Sequence, residues 1–241
     1  AWKEAGSLPA AKDITIAETL TLLDADFAEF AAGIADDKYA LWLGAGISRS
    51  KLPGLDGIIE RVLEHVRQKV DPADATCRFR QSLENILGMV VNGDGWKDVD
   101  YSQSFSTWKN RASIVQSLTS FYARMLDEAP AGEEPDYLVW DALDVVAVFA
   151  NPAIDPGPEH LAIVALVCEG AASEIVSANW DPLIERALEY AVGNTSGVLQ
   201  VRVLPADVQD NTARAHLYKF HGCAALAEAD EPHYRDRIVG R

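Results

Sequence analysis

The feature that most constrains the fold is a short apolar run that stops at a glycine turn and leads into an amphipathic helix. Residues 39–43 (Tyr-Ala-Leu-Trp-Leu) have the length and the flanks of a buried parallel strand. The turn Gly-Ala-Gly-Ile-Ser follows at residues 44–48, and apolar side chains then recur at helical spacing between Ile58 and Val70. Strand, glycine turn and helix in this order predict the start of a doubly wound α/β fold.

The same patterns divide the chain into three parts. Residues 1–70 hold an N-terminal helix and the first half of a Rossmann-like domain, residues 71–159 form a helical insertion, and residues 160–241 hold the second half of the domain. The predicted fold class is therefore α/β, a doubly wound Rossmann-like parallel sheet with a helical insertion, which we expect residues beyond Arg241 to complete. Strands are predicted over residues 39–43, 173–177, 198–204 and 216–220, and helices over residues 18–35, 79–91, 112–126, 160–170 and 182–191.

Composition argues against several classes of function. A net charge of −16 would repel a phosphate backbone, so we expect no direct binding of nucleic acid. The longest apolar stretches, residues 139–150 and 161–168, are too short to span a membrane, and no charged-then-apolar leader opens the sequence, so we expect a cytoplasmic protein. The three cysteines are widely separated and form no Cys-x-x-Cys pair, which argues against a metal site or a disulfide framework.

Three of the predicted strands end in polar or glycine-bearing motifs. The ligand crevice of an open α/β sheet lies beyond the carboxyl ends of its strands, so these motifs can converge in space. The first is the turn at residues 44–48, whose glycines would let backbone N–H groups approach a pyrophosphate, although such turns also serve tight strand-to-helix packing. Arg49 replaces the third glycine of the dinucleotide fingerprint, which counts against a dehydrogenase.

The second and third motifs carry side chains suited to catalysis. Residues 177–182 read Ser-Ala-Asn-Trp-Asp-Pro; Asp181 before a proline is a good helix N-cap, whereas Asn179 can orient a water or a sugar hydroxyl because an amide both donates and accepts. Residues 219–223 read Lys-Phe-His-Gly-Cys, and His221 is a candidate catalyst because the other two motifs lie at neighbouring strand ends. The histidines without a comparable setting, which we expect to be structural or surface residues, are His65, His160, His216 and His233.

Together these residues resemble the sirtuin family, in particular its prokaryotic branch of NAD-consuming defence domains. In that family a Gly-Ala-Gly-x-Ser loop, a Thr-x-Asn-x-Asp segment and a His-Gly pair line one NAD pocket. Here they correspond to residues 44–48, 177–181 and 221–222. The resemblance covers residues 18–239 and is weakest within the helical insertion. It implies cleavage of NAD rather than hydride transfer.

The resemblance implies a role for each matching residue. Asn179 would position the nicotinamide ribose or an attacking water. Asp181 would contact the carboxamide or brace its loop, and His221 would act as general base or orient the ribose hydroxyls. The residues that would hold the diphosphate and the adjoining ribose are Gly44, Ala45, Gly46 and Ser48.

Departures from the family pattern bear on the reaction. The four-cysteine zinc module of deacylating sirtuins is absent, and their Gly-Ile-Pro-Asp-Phe-Arg stretch is replaced by Lys-Leu-Pro-Gly-Leu-Asp at residues 51–56. Ala178 stands where the family has a glutamine before the catalytic asparagine. These differences disfavour a protein deacylase. We expect an NAD hydrolase that uses NAD as substrate, without a metal, and yields ADP-ribose and nicotinamide.

Several alternatives stay open at this point. They are an ADP-ribose cyclase, a protein deacylase, and a non-catalytic domain that senses NAD or ADP-ribose and regulates a partner. A dehydrogenase ranks last because Glu60 and Glu64, near the required spacing, belong to a predicted helix and not to the end of a second strand. The resemblance further implies a silent effector of antiviral defence that depletes NAD once activated. Its partners would be its own oligomer, an Argonaute-like protein or a translocase-type ATPase.

Overall fold

The computed structural model describes residues 15–90, 99–193, 195–209 and 212–238. Within these ranges the strands form a four-stranded, entirely parallel sheet in the order β1-β2-β4-β3, flanked by helices. This architecture confirms the predicted α/β, Rossmann-like fold class. The strands are β1 (Leu41–Leu43), β2 (Glu174–Ser177), β3 (Leu199–Arg202) and β4 (Ala215–Lys219).

Helices make up most of the remaining described chain. The α-helices are α1 (Ile16–Asp24), α2 (Ala28–Ala35), α3 (Leu55–Gln68), α4 (Arg78–Gly88), α5 (Arg111–Leu118), α6 (Tyr122–Leu126), α7 (Val145–Phe149), α8 (Pro158–Glu169), α9 (Leu183–Val192), α10 (Ala224–Ala229) and α11 (Glu231–Tyr234). Short 3₁₀ turns occupy Ala45–Ser48, Phe105–Thr107, Pro205–Gln209 and Arg235–Arg237, and a π-helical turn covers Leu138–Ala142. Among the described residues no helix is both long and apolar enough to cross a membrane.

One face of the sheet packs against α8 and α9. Ile175 of β2 and Leu217 of β4 are paired in register and fully buried, and they share a core with Val167 of α8 and Ile184 of α9. Side chains alternate along a strand, so the neighbouring positions point to the opposite face. There Trp42 of β1 is 75% exposed. The sheet core is therefore built on the face that α8 and α9 cover.

A second core lies among the helices. Ile59, Val62 and Leu63 on the inner side of α3 are fully buried against α4, α5 and the π-helical turn. Helices that the sequence places in an insertion therefore share one core with α3. Trp180 and Leu183, at the junction of β2 and α9, belong to the same cluster. The helical core consequently sits against the carboxyl end of β2, where the second sequence motif lies.

The N-terminal and insertion helices differ from the predicted ones. The single helix expected over residues 18–35 is two helices, since α1 ends at Asp24. Acidic side chains there, with no basic one in the last turn, interact unfavourably with the negative end of the helix dipole. The helix expected over residues 112–126 also breaks, between α5 and α6, where the Thr119 hydroxyl donates to the backbone oxygen of Gln116. The helix expected over residues 79–91 ends at Gly88, and residue 91 lies outside the described residues.

The first strand was also predicted too long and too buried. It begins at Leu41 rather than at residue 39, and it pairs only with β2 in the described part of the sheet. Trp42 is exposed despite its apolar neighbours because it points to the face of the sheet opposite α8 and α9. The other strands and the helices around them match their predicted bounds to within two residues.

Gly222, after β4, is the glycine that the fold requires most clearly. Its φ is +90°, and an added Cβ would lie 2.4 Å from the backbone oxygen of Arg237. We expect Gly222→Ala to lower the free energy of unfolding by about 2 kcal/mol or more, because backbone strain and a clash add up. Gly193→Ala is the matched control, since Gly193 has φ +73° but open space around it. Urea unfolding should rank Gly222→Ala below Gly193→Ala; equal stabilities would contradict the clash.

Candidate active site

The three sequence motifs meet at one edge of the sheet. β1, β2 and β4 are adjacent and parallel, so their carboxyl ends lie side by side. A cavity of about 260 Å³ opens at this edge. Its polar lining consists of Ser48, Asn179, Asp181 and His221. Its remaining lining consists of Ala45, Leu52, Pro53, Leu55, Ile58, Tyr122, Phe149, Ala178 and Trp180.

A buried lysine ties the second and third motifs together. Lys219, at the end of β4, is only 1% exposed, and its ammonium donates to the backbone oxygen of Asp181 and to Oε1 of Glu185 at 2.8 Å. The paired carboxylate offsets the burial and raises the pKa of Lys219 above its ordinary value, so the lysine stays charged. The N–H of Ala224 donates to the backbone oxygen of Trp180. These bonds hold the loop that carries His221 against the loop that carries Asn179.

Asp181 is committed to contacts within the protein. Its Oδ2 accepts a hydrogen bond of 2.9 Å from the Ser48 hydroxyl, and its Oδ1 accepts one of 3.1 Å from the N–H of Leu183, the first residue of α9. The N-cap predicted at Asp181 is wrong, because α9 begins at Leu183 with Pro182 in the N-cap position and no side-chain cap bond. The contact with Leu183 is instead a local side-chain bond to the backbone two residues on. Of the two implied roles, the structure contains the bracing contacts. A contact with a carboxamide stays a prediction.

His160 belongs to this network, which the sequence did not reveal. It is fully buried, its Nδ1 accepts the N–H of Gly157 at 3.0 Å, and its Nε2 lies 3.1 Å from the Ser48 hydroxyl. Because Nδ1 is an acceptor, the neutral ring carries its proton on Nε2 and donates it to Ser48. Burial lowers the pKa of His160 below its ordinary value of 6.5, which favours this neutral form.

The direction of these hydrogen bonds excludes a nucleophilic serine. Ser48, His160 and Asp181 have the composition of a hydrolase triad, but a histidine that donates to the serine cannot take up its proton. The hydroxyl of Ser48 instead accepts a hydrogen bond from His160 and donates one to Asp181. Ser48 is only 3% exposed and its hydroxyl is fully engaged. Any contact it makes with a diphosphate would therefore come through its backbone.

The same network orients the amide of Asn179. Its Nδ2 is placed to donate to the Ser48 oxygen at 3.4 Å. A flipped amide would set its carbonyl oxygen against the Ser48 oxygen, whose only hydrogen is already donated to Asp181, so two acceptors would face each other. Asn179 is 7% exposed, yet its Oδ1 has no partner among the described residues. A buried carbonyl oxygen without a donor is unfavourable by about 1–3 kcal/mol, so a ligand donor or a water is expected beside it.

His221 lines the cavity, and its imidazole has no hydrogen-bond partner among the residues that the structure describes. Its ring packs edge to face on Phe220 with centroids 4.4 Å apart. Burial lowers the pKa of His221 below its ordinary value of 6.5, so the ring is neutral near pH 7. A neutral imidazole has one nitrogen lone pair that can accept a proton. His221 thus has the protonation state that a general base needs.

The glycine turn lies exposed beside the cavity. Gly44 has φ −123°, which any residue adopts, and a Cβ at either Gly44 or Gly46 would meet no atom within 4 Å. Neither glycine is therefore required by the folded chain itself. The space in front of the turn instead leaves room for a ligand to approach the backbone of residues 44–46.

The apolar end of the cavity comes from residues that the sequence did not single out. Phe149 and Trp180 pack edge to face with centroids 5.2 Å apart, and Tyr122 lies on the same lining. Arg186 of α9 donates to the backbone oxygens of Ala150, Asn151 and Ile154, which fixes the segment after α7 and with it Phe149. Among the site residues that the sequence analysis did not single out, His160 had a local signal. It is the third residue of α8, a position from which a side-chain acceptor can bond to the N-cap backbone.

Comparison with known proteins finds no matching family model, no matching curated protein and no matching solved structure. The likeness to sirtuins therefore rests on the motifs and remains a prediction. Within the described ranges, no group of three or more histidine, cysteine and acidic side chains is placed to hold a metal ion.

The His160 contacts predict a dependence of stability on pH. The folded chain holds His160 neutral, so below pH 6.5 the unfolded chain binds a proton first and the free energy of unfolding falls as the pH falls. We expect His160→Leu to lower the free energy of unfolding by about 1–3 kcal/mol near pH 8, because Gly157 and Ser48 lose a hydrogen-bond partner. The variant should also show a smaller fall of this free energy as the pH drops below 6.5.

Urea unfolding between about pH 8 and about pH 5 measures both effects. His233→Leu is the control, since His233 is exposed and outside the network. A His160→Leu variant with the stability and the pH profile of the parent chain would show that the buried contacts carry no such energy.

Proposed function

We propose that this domain is an NAD hydrolase of the sirtuin-like type, which cleaves the bond between nicotinamide and ribose. The observation that carries the proposal is that Asn179 and His221 line one cavity. The carbonyl oxygen of Asn179 has no hydrogen-bond partner among the described residues, and the imidazole of His221 is neutral. Their position at neighbouring strand ends, beside an exposed glycine turn, is where α/β sheets bind dinucleotides.

The chemistry asks little of the protein beyond positioning. Nicotinamide in NAD is a cationic leaving group, so it departs with the bonding electron pair and needs no proton. A water then adds to C1′ of the ribose and must lose a proton. Asn179 Oδ1 can accept a hydrogen bond from that water or from a ribose hydroxyl, and His221 can take the proton. The products are ADP-ribose and nicotinamide.

The dimensions of the site support binding of one part of the dinucleotide inside it. A cavity of about 260 Å³ is at the lower end of ligand pockets, and most of its lining is apolar. It suits a flat ring such as nicotinamide against Phe149 and Trp180. The diphosphate would then lie outside the cavity, along the exposed backbone of residues 44–46.

The central prediction concerns Asn179 and His221. We expect Asn179→Ala and His221→Ala each to lower NAD turnover by about 100-fold or more, because each removes a group that positions or deprotonates the nucleophile. Release of nicotinamide by the activated full-length protein is the measurement. Asn85→Ala and His233→Ala, at exposed positions of the same residue types, should retain the activity. Activity that survives both site substitutions would overturn the residue assignment.

A second prediction separates binding from folding at the glycine turn. Gly46→Ala should leave the free energy of unfolding within about 0.5 kcal/mol, because its Cβ enters open space. The same methyl group would stand in the path of the dinucleotide, so kcat/KM for NAD should fall by about tenfold. Gly88→Ala, which also adds a Cβ in open space but on α4, is the control. An unchanged kcat/KM would place the diphosphate elsewhere.

One observation favours a non-catalytic alternative, a domain that senses NAD or ADP-ribose. Asp181 is the only acidic residue in the described lining of the cavity, and both its oxygens are engaged within the protein. No free carboxylate of that lining would thus face a developing ribosyl cation. Calorimetry that detects NAD binding, without nicotinamide release in any activated state, would establish the sensing role.

The biological role that accompanies the proposal is NAD depletion in antiviral defence. The motifs shared with NAD-consuming defence domains support it. In that role the domain works as a homo-oligomer or with an Argonaute-like or ATPase partner, and stays silent until a signal arrives. Cellular NAD concentrations before and after infection, with the His221→Ala variant as reference, test the role.

A further inference from the structure

The two helices α1 and α2 form a hairpin that serves neither core. No residue of α1 is buried, and in α2 only Gly33 is. Residues 16–35, here called the N-terminal hairpin, nevertheless start with a complete capping box, in which Thr15 and Glu18 bond to each other's backbone. The chain thus caps α1, although the hairpin contributes no residue to either hydrophobic core.

The N-terminal hairpin exposes large apolar side chains at helical spacing. Ile16 and Leu20 are 81% and 56% exposed and lie one turn apart on α1. Phe27 and Phe30, at the start of α2, are 51% and 49% exposed. Apolar side chains that recur at this spacing form a stripe along a helix. Exposed apolar stripes of this kind are typical of interaction surfaces.

The charged residues of the N-terminal hairpin itself all have one sign. From residue 13 to residue 37 the sequence contains no lysine or arginine. Its acidic residues are Asp13, Glu18, Asp24, Asp26, Glu29, Asp36 and Asp37. A second copy of the hairpin would bring like charges together, and anionic lipid or nucleic acid would be repelled in the same way. The complementary occupant combines an apolar face with basic flanks.

We propose that the N-terminal hairpin docks a basic amphipathic helix of a partner protein. The apolar face of that helix would cover Ile16, Leu20, Phe27 and Phe30, as amphipathic helices do in hydrophobic grooves. Its lysine and arginine side chains would pair with Asp24, Asp26 and Glu29 at the rim, which steers the encounter and sets the orientation. The hairpin is separate from the cavity lining, so this interaction does not depend on the reaction at the site.

Two synthetic helical peptides of about 18 residues test the proposal. Both carry leucine at the same amphipathic positions, and they differ in having lysine or glutamate on the flanks. Fluorescence anisotropy with the full chain should give a dissociation constant in the low micromolar range for the lysine peptide, and binding at least about 100-fold weaker for the glutamate peptide. Equal binding of the two peptides would refute the charge complementarity.

Matched charge reversals distinguish the hairpin from general attraction to an acidic protein. Asp24→Lys, Asp26→Lys and Glu29→Lys combined should weaken binding of the lysine peptide by at least about tenfold. The control reverses three exposed acids elsewhere, Asp155, Glu189 and Glu228, and has the same net charge. An equal loss of affinity in both variants would show that the peptide responds only to the net charge of the protein.

An apolar variant completes the test and does not depend on the charged one. Leu20→Ser with Phe27→Ser replaces exposed side chains, and serine is favoured at the N-cap of α2 that Phe27 occupies. The free energy of unfolding should therefore change little while peptide binding falls by at least about tenfold. Undiminished binding would overturn the proposed docking face. Sedimentation of the chain alone tests the competing occupant, a second copy of the chain. If the chain forms an oligomer and this variant dissociates it, the hairpin is a contact between copies and the proposal is wrong.

Discussion

The candidate site depends on the hydroxyl of Ser48, which bonds to side chains from three parts of the fold. The hydroxyl oxygen accepts hydrogen bonds from Nε2 of His160 in α8 and from Nδ2 of Asn179 after β2, and the hydroxyl donates a hydrogen bond to Asp181. The backbone N–H of Gly157 sets the tautomer of His160 and thereby the direction of every later bond. Buried polar networks of this kind are favourable only when every member is satisfied. Among the described members of this network, the unsatisfied atom is Oδ1 of Asn179, a residue that lines the cavity.

The division of the molecule into two cores explains where that cavity lies. The sheet and α8 and α9 enclose one core, and α3 with the insertion helices encloses the other. The cavity opens at the carboxyl ends of the strands, so the segments that follow the strands supply its polar residues. Helices α3, α6 and α7 supply Leu55, Ile58, Tyr122 and Phe149 of its remaining lining. Lys219 and Arg186 hold the loops at this junction through backbone oxygens. Such contacts make the position of the site a property of the packed layers and not of one loop.

Local patterns were sufficient for the elements with strong periodicity. Strand β4, helix α9 and helix α3 lie close to where the sequence predicted them, because a period of two or of 3.6 residues on a buried face leaves few alternatives. Predictions were poorer where burial was assumed. The β1 run looked buried, but Trp42 points to the face of the sheet opposite α8 and α9 and is exposed. Residues 18–35 look like one amphipathic helix, although neither core contains them.

The sequence by itself determined the fold class and the three motifs, since strand-end glycines and polar residues are local signals and parallel strands place their ends at one edge. Only the tertiary structure decided what each motif residue does. It placed His160, more than 100 positions from Ser48 along the chain, within hydrogen-bond distance of it, and turned Ser48 and Asp181 inward. It also left Asn179 Oδ1 without a hydrogen-bond partner among the described residues. Hydrogen-bond direction depends on partners that are distant in sequence, so no local pattern could contain it.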